Sequence, residues 1–143
     1  VKGGIGFEIR VLANLIKRNV GNLPALKAAE SITGIHCWMI GYIYERQGED
    51  VYQKDIEERF SIRRSTATTI LQRMEKNGLI VRCPVAHDAR LKKLELTEKA
   101  IKLQEQINLE IEAFEERLVA GLNEGERQIF HEIMDKLKHN LEG

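Results

Sequence analysis

Apolar residues recur three and four apart along most of this chain, and in one stretch the period shortens to two. Ile5, Ile9, Leu12, Ile16 and Val20 form the first stripe and predict a helix over 5–20, with Gly21 and Pro24 read as breakers behind it. Thr33 is placed to cap a second helix running to about Gln47, with Cys37, Ile40, Ile43 and Tyr44 on one face and Gly48 as its stop. A short helix is expected at about 53–59, with Ile56 and Phe60 pointing inward, followed by a tight connection at Ser61-Ile62. Ala67, Ile70, Leu71 and Met74 give the next helix, 64–77. Asn77-Gly78 closes it, glycine supplying the left-handed residue of a C-terminal cap.

The period then changes. Leu79 to Cys83 is a short β-branched run that Pro84 closes, and Lys92 to Leu96 alternates, with Leu94 and Leu96 opposite Lys93 and Glu95. The polar stretch Val85 to Arg90 predicts a hairpin with a broad tip, not a tight two-residue turn. Thr97 can cap a long helix over about 98–120, striped by Leu103, Ile107, Ile111, Phe114 and Leu118 and ended by Gly121. Asn123 with Glu126 three residues on reads as a capping box for a last helix carrying Phe130, Ile133 or Met134, Leu137 and Leu141. Helix, short helix, tight turn, helix and two-stranded hairpin is the order of a winged helix-turn-helix. The expected fold is therefore mainly α with a small two-stranded β wing. Residues 33–97 are assigned to the winged helix-turn-helix domain, and 1–32 with 98–143 to dimerisation helices. The flanking stripes have no evident way to be buried by residues 33–97 alone, so a second copy is expected to cover them; the alternative is that these helices simply cover the core of one monomer.

Charge sharpens this reading. The 143 residues carry no net charge, yet Arg59 to Lys93 holds nine cations (Arg59, Arg63, Arg64, Arg73, Lys76, Arg82, Arg90, Lys92 and Lys93) against Glu75 and Asp88 alone. Residues 94–143 hold six cations and twelve acids. A basic segment in an otherwise acidic chain is a local field suited to a polyanion. The face of helix 64–77 opposite its apolar stripe carries Arg63, Arg64, Ser65, Thr66, Thr68, Thr69, Gln72, Arg73 and Lys76. Short hydroxyl side chains permit close approach to a duplex, and arginine and glutamine reach base edges in the major groove. Arg90 at the hairpin tip suits the narrow minor groove, and Lys92 and Lys93 the flanking phosphates. Asp88, an acid within the basic tract, either orients an arginine or simply makes the turn.

Other chemistries find little support. The longest apolar run, about Cys37 to Ile43, falls far short of the roughly 20 residues that span a bilayer, and no secretion signal is read at the start. Two cysteines, Cys37 and Cys83, make no disulfide framework, and the cytoplasm is the expected compartment. His36, His87, His131 and His139 are scattered without ligand spacing, and there is no phosphate loop, nucleophile elbow or plausible triad. No enzyme activity, metal or cofactor is expected.

Several motifs resemble the multiple-antibiotic-resistance regulator (MarR) family. They are Gln53-Lys54-Asp55-Ile56, Ser65-Thr66-Ala67-Thr68 leading to Leu71 and Met74, Glu75-Lys76-Asn77-Gly78-Leu79-Ile80, and above all Asp88-Ala89-Arg90-Leu91-Lys92-Lys93-Leu94-Glu95-Leu96-Thr97, which follows the wing pattern D-x-R-x-x-x-L-x-L-T. Tyr52, where serine or threonine usually caps, and Ala100, where glycine is common, depart from the pattern. The resemblance implies a triangular homodimer with entwined terminal helices that reads a pseudo-palindromic operator in double-stranded DNA, usually as a repressor. It implies that Arg90 enters the minor groove and that Asp88 fixes the wing by pairing with arginine. It also implies a small aromatic or phenolic effector bound between the dimer helices and the DNA-binding lobe. The candidate lining residues are His36, Trp38, Met39 and Tyr42, with Arg10 or Asn14; the plainer reading is that these aromatics fill the core. A redox-sensing variant would use Cys37, but that branch places its cysteine on the first helix, so a buried inert thiol is the simpler assignment. The competing class is a winged-helix protein-interaction module whose basic hairpin meets an acidic partner.

Overall fold

A computed structural model of the chain describes residues 3–29 and 32–142, so the outer limits assigned to the flanking segments, at 1 and 143, lie outside the described residues. Helix α1 spans Ile5–Gly21. Its apolar stripe is left open at Ile5 (65% exposed), Ile9 and Leu12, and only Val20 is buried. Helix α2, Pro24–Ala28, stands where the sequence pattern predicts only a break. Pro24 opens it instead of merely ending α1, because the first turn of a helix has no use for the missing N–H and the ring presets φ. The Ala25 N–H bonds the Glu110 carboxylate at 3.0 Å, tying this short helix to a distant part of the chain.

Helix α3, Gly34–Glu45, is the spine of the core and buries Cys37, Met39, Ile40 and Ile43. Its start is held by the Thr33 N–H donating to His36 Nδ1 at 3.2 Å. Helix α4, Gln53–Phe60, lacks the usual hydroxyl cap, and Asp55 compensates by accepting the Tyr52 N–H at 2.9 Å. Ser61 closes α4 in the left-handed region (φ 53°), which makes the tight turn into α5, Arg64–Lys76. Ala67, Leu71 and Met74 of α5 are fully buried. At its end Gly78 takes φ 73°, and the N–H groups of Gly78 and Leu79 bond the carbonyls of Glu75 and Met74 at 3.1 and 2.9 Å. This is the paired bonding of a Schellman cap.

Strands β1, Ile80–Val85, and β2, Asp88–Leu96, pair antiparallel from Ile80↔Leu96 to Pro84↔Lys92, then shift register so that Val85 faces Asp88. This corrects the sequence expectation in two ways. The strands run past Pro84, and the turn is two residues, Ala86-His87. The surplus residues 89–91 are absorbed by a bulge on β2 just beyond the Pro84 rung, and Pro84 is tolerated because it ends the regular ladder of a two-stranded sheet whose strands are both edges. Val51 adds one further rung, accepting the Leu94 N–H at 2.7 Å. The Thr97 hydroxyl donates to the Gly78 carbonyl at 2.6 Å and accepts the Ala100 N–H at 3.2 Å, joining the foot of the hairpin to the end of α5 and the start of α6, Glu98–Leu118.

The chain divides into two compact units, residues up to 110 and residues from 111, the boundary falling within α6. The first holds the core, centred on Met39, Ile40, Ile56, Leu71, Met74, Leu79 and Ile80. The second contains α7, Glu124–Leu141. Asn123 and Glu126 exchange N–H bonds of 2.8 and 2.9 Å at its start, the expected capping box, yet no residue of α7 is buried.

Candidate nucleic-acid interface

Because Ala67, Leu71 and Met74 turn inward, the opposite surface of α5 is set by the helical period. Arg63, Arg64, Ser65, Thr66, Thr69, Gln72, Arg73 and Lys76 are all exposed there. Arg63 at the N-cap makes no side-chain capping bond, which leaves the first amide N–H groups open to a phosphate oxygen. Thr69 donates its hydroxyl to the Ser65 carbonyl at 3.1 Å. Thr68 differs from its neighbours. It is half-buried and accepts a bond from Gln53 Nε2 at 2.9 Å, while Arg82 Nη1 donates to Gln53 Oε1 at 3.5 Å. Gln53 thus joins α4, α5 and β1. Its place in Gln53-Lys54-Asp55-Ile56 gives no hint of partners 15 and 29 residues away.

On the wing, the Arg90 side chain is 95% exposed. Asp88 Oδ1 accepts the Arg90 N–H at 2.9 Å and lies 3.6 Å from Arg90 Nε, so one carboxylate shapes the backbone and steadies the guanidinium. Lys92 is exposed. Strand alternation turns Lys93 to the other face, beside its cross-strand partner Cys83. There Lys93 Nζ lies 3.1 Å from Glu95 and 3.7 Å from Asp50. The Glu95 carboxyl is held below the usual range by hydrogen bonds from Lys93 and from the Cys83 thiol.

The six residues expected to meet an effector are spread over the fold. Arg10 and Asn14 are exposed on α1; Trp38 and Tyr42 are half-buried on α3; His36 and Met39 are buried. Tyr42 meets the Phe60 ring edge-on at 6.0 Å and carries the Arg46 guanidinium 4.8 Å above its own ring. A cleft of about 410 Å³ at the end of α3 is lined by other residues, among them Arg46, Asp50 and Lys93. Burial, and then the charge of Arg73, holds the His36 imidazole below its ordinary value. Burial raises the Cys37 thiol to about 11, which leaves almost no thiolate at neutral pH. The Cys83 thiol is raised by desolvation and by its bond to Glu95. Among the described residues no group of His, Cys, Asp and Glu is arranged to hold a metal ion, and no helix is long and apolar enough to cross a membrane.

Known proteins share this arrangement. The model of the MarR family matches residues 31–91. An uncharacterised HTH-type transcriptional regulator of Bacillus subtilis, YybA, is 27% identical over 100 residues, covering 70% of this chain and 65% of that protein, so the match spans about two thirds of that curated relative's length. The crystal structure of the transcription regulator MarR from Oenococcus oeni superposes with a TM-score of 0.83 at 30% identity, over 95% of this chain and 99% of that one. The complex of S. aureus MepR with DNA superposes with a TM-score of 0.86 at 25% identity, over 99% of each chain.

Proposed function

Because this chain belongs to the MarR family of transcriptional regulators, we propose that it binds a pseudo-palindromic DNA operator as a homodimer and represses transcription until a small aromatic or phenolic effector lowers its affinity. The observation that carries the reading is the pairing of two cationic elements in one segment: the exposed face of α5 and the solvent-exposed Arg90 guanidinium of the wing. The α5 face enters the major groove with Arg63, Arg64, Ser65, Thr66, Thr69, Gln72, Arg73 and Lys76, while Arg90, steadied by Asp88, enters the adjacent minor groove and Lys92 lies on phosphate. The MepR–DNA complex supports this assignment by its likeness in fold.

Dimerisation follows from the open stripes. Ile5, Ile9 and Leu12 on α1, and separately Ile129, Phe130 and Ile133 on α7, are large apolar side chains facing solvent in the single chain. Contiguous apolar surface of this kind is covered by a partner, and a two-fold partner supplies the second recognition helix. The proposed dimerisation segments are 1–32 and 98–143, flanking the DNA-binding segment 33–97. The effector acts by linkage, favouring dimers whose lobes are wrongly spaced for DNA. Its candidate contacts are Arg10, Asn14, Trp38 and Tyr42, with His36 and Met39 available only on repacking. The site of action is the cytoplasm.

Mobility shifts on a duplex from upstream of its own gene test the reading. We expect nanomolar binding that weakens about 10³–10⁵-fold between about 50 and 200 mM KCl, as six to ten phosphate contacts require. Absence of binding, or binding indifferent to salt, contradicts it; tight capture of an acidic protein but not of DNA selects the interaction-module alternative. Quenching of Trp38 fluorescence by salicylate-like compounds, with release of the duplex, tests the effector.

A further inference from the structure

We infer that Lys93 positions the wing and does not touch the DNA: with Asp50 and Glu95 it forms a latch that fastens the strand carrying Arg90 to the loop entering α4. The inference rests on the DNA-binding reading above and reassigns one residue that sequence alone places on phosphate.

The latch has a backbone half and a side-chain half. The Leu94 N–H bonds the Val51 carbonyl at 2.7 Å, and one residue back on each segment Lys93 Nζ faces Asp50 Oδ1 at 3.7 Å. Both acids are themselves held. The Tyr52 hydroxyl donates to Asp50 Oδ2 at 3.3 Å, and the Cys83 thiol donates to Glu95 Oε2 at 3.4 Å. The Lys93 ammonium keeps its proton more tightly than an ordinary lysine, through its bond to Glu95, the charge of Glu95 and the charge of Asp50. A cation between two acids offers a phosphate little net charge. Drawing it toward DNA would also leave two carboxylates unpaired beside a polyanion. Lys92, on the opposite face of the same strand, has no such partners among the ion pairs described.

A two-stranded hairpin is marginal by itself, so its direction is set where it is tied down. Arg90 lies three residues beyond Lys93, on the bulged part of β2. The loop on the other side of the latch runs directly into Gln53, which bonds Thr68 of α5. The latch therefore fixes the minor-groove arginine relative to the helix proposed to read the major groove.

The test uses Lys93→Met, Asp50→Ala, their double variant and Lys92→Met in the full chain, on the duplex from upstream of its own gene. Lys93→Met and Asp50→Ala should each weaken binding roughly fivefold, the affinity equivalent of an exposed ion pair. The double variant should be no worse than either, the salt slope should stay unchanged, and Lys93→Arg should bind as the wild type. Lys92→Met should lower the salt slope by about one unit. The Asp50 variant is decisive in sign, because removing an acid near DNA strengthens binding if charge alone matters. Tighter binding by Asp50→Ala, or a slope reduced by Lys93→Met, overturns the inference. Without DNA, amide exchange over residues 88–93 should quicken in Lys93→Met and Asp50→Ala but not in Lys92→Met. Unchanged exchange overturns the latch, whereas quickened exchange in a chain that binds no duplex supports the latch and removes the DNA-binding reading instead.

Discussion

Helices α5 and α7 are both amphipathic, of 13 and 18 residues, and both announce themselves by apolar side chains at helical spacing. Their fates in the single chain are opposite. Ala67, Leu71 and Met74 of α5 are sealed against the rest of the first unit, while Ile129, Phe130 and Ile133 of α7 stay open to solvent. The contrast separates two kinds of surface that a hydropathy pattern treats alike. Where the chain supplies its own apolar partner, the polar face is what remains to act, and on α5 that face is cationic and rich in short hydroxyls. Where it supplies none, the apolar face itself is the proposed interaction surface. An amphipathic helix therefore reveals its role only when one knows which of its faces is already satisfied.

The largest effect that could break this contrast is a charge placed on the open face. Ile133→Asp should yield a monomer by sedimentation and reduce operator affinity about a hundred- to ten-thousandfold, since binding of one half-site no longer delivers the other. A dimer that survives would show that α7 is not the contact. Next comes the closed face. Leu71→Ala should cost about 2–5 kcal/mol of unfolding free energy, equally at all protein concentrations, because it leaves a cavity in a core that one chain completes. Ile133→Ala should instead show a loss that depends on protein concentration, as expected of a contact between copies. Urea titrations at two concentrations distinguish them.

A smaller effect belongs to the wing. Arg90→Ala should weaken operator binding by about 1–3 kcal/mol with the melting temperature unchanged, because its side chain is almost wholly exposed. A drop in melting temperature would assign Arg90 to the fold instead. The smallest effect concerns pH. His36 is held below its ordinary value in the folded chain, so it stays neutral there while the unfolded chain takes up a proton. Its contribution to stability is complete above about pH 6.5, the unfolded value, and is lost as pH falls through that value toward the lower folded one. Denaturation from pH 7.5 to 5.5 should show this decline in the wild type, and His36→Gln should flatten it.

Much of the architecture was legible because period and punctuation agree locally. The helices around the core, the Gly78 cap and the Asn123–Glu126 capping box each depend on residues within a turn or so of one another. What escaped was either ambiguous punctuation or distant partnership. Pro24 can stop a helix or open one, and the bond from the Ala25 N–H to the Glu110 carboxylate, 85 residues away, holds the second arrangement in place. Pro84 reads as a strand terminator, yet it pairs with Lys92 as the last regular rung before the bulge. The candidate site divides in the same way. The period of α5 alone fixes which residues face outward. It cannot show that Thr68 is already engaged by Gln53, or that Lys93 is engaged by Asp50, 43 residues earlier in the chain.

Selection of bound duplexes from a random pool tests the central claim most directly. Two wings and two recognition helices related by a two-fold axis should enrich an inverted repeat whose half-sites are centred about one helical turn apart, roughly 10–10.5 base pairs. Enrichment of a single unrepeated motif, or of nothing, would contradict the account.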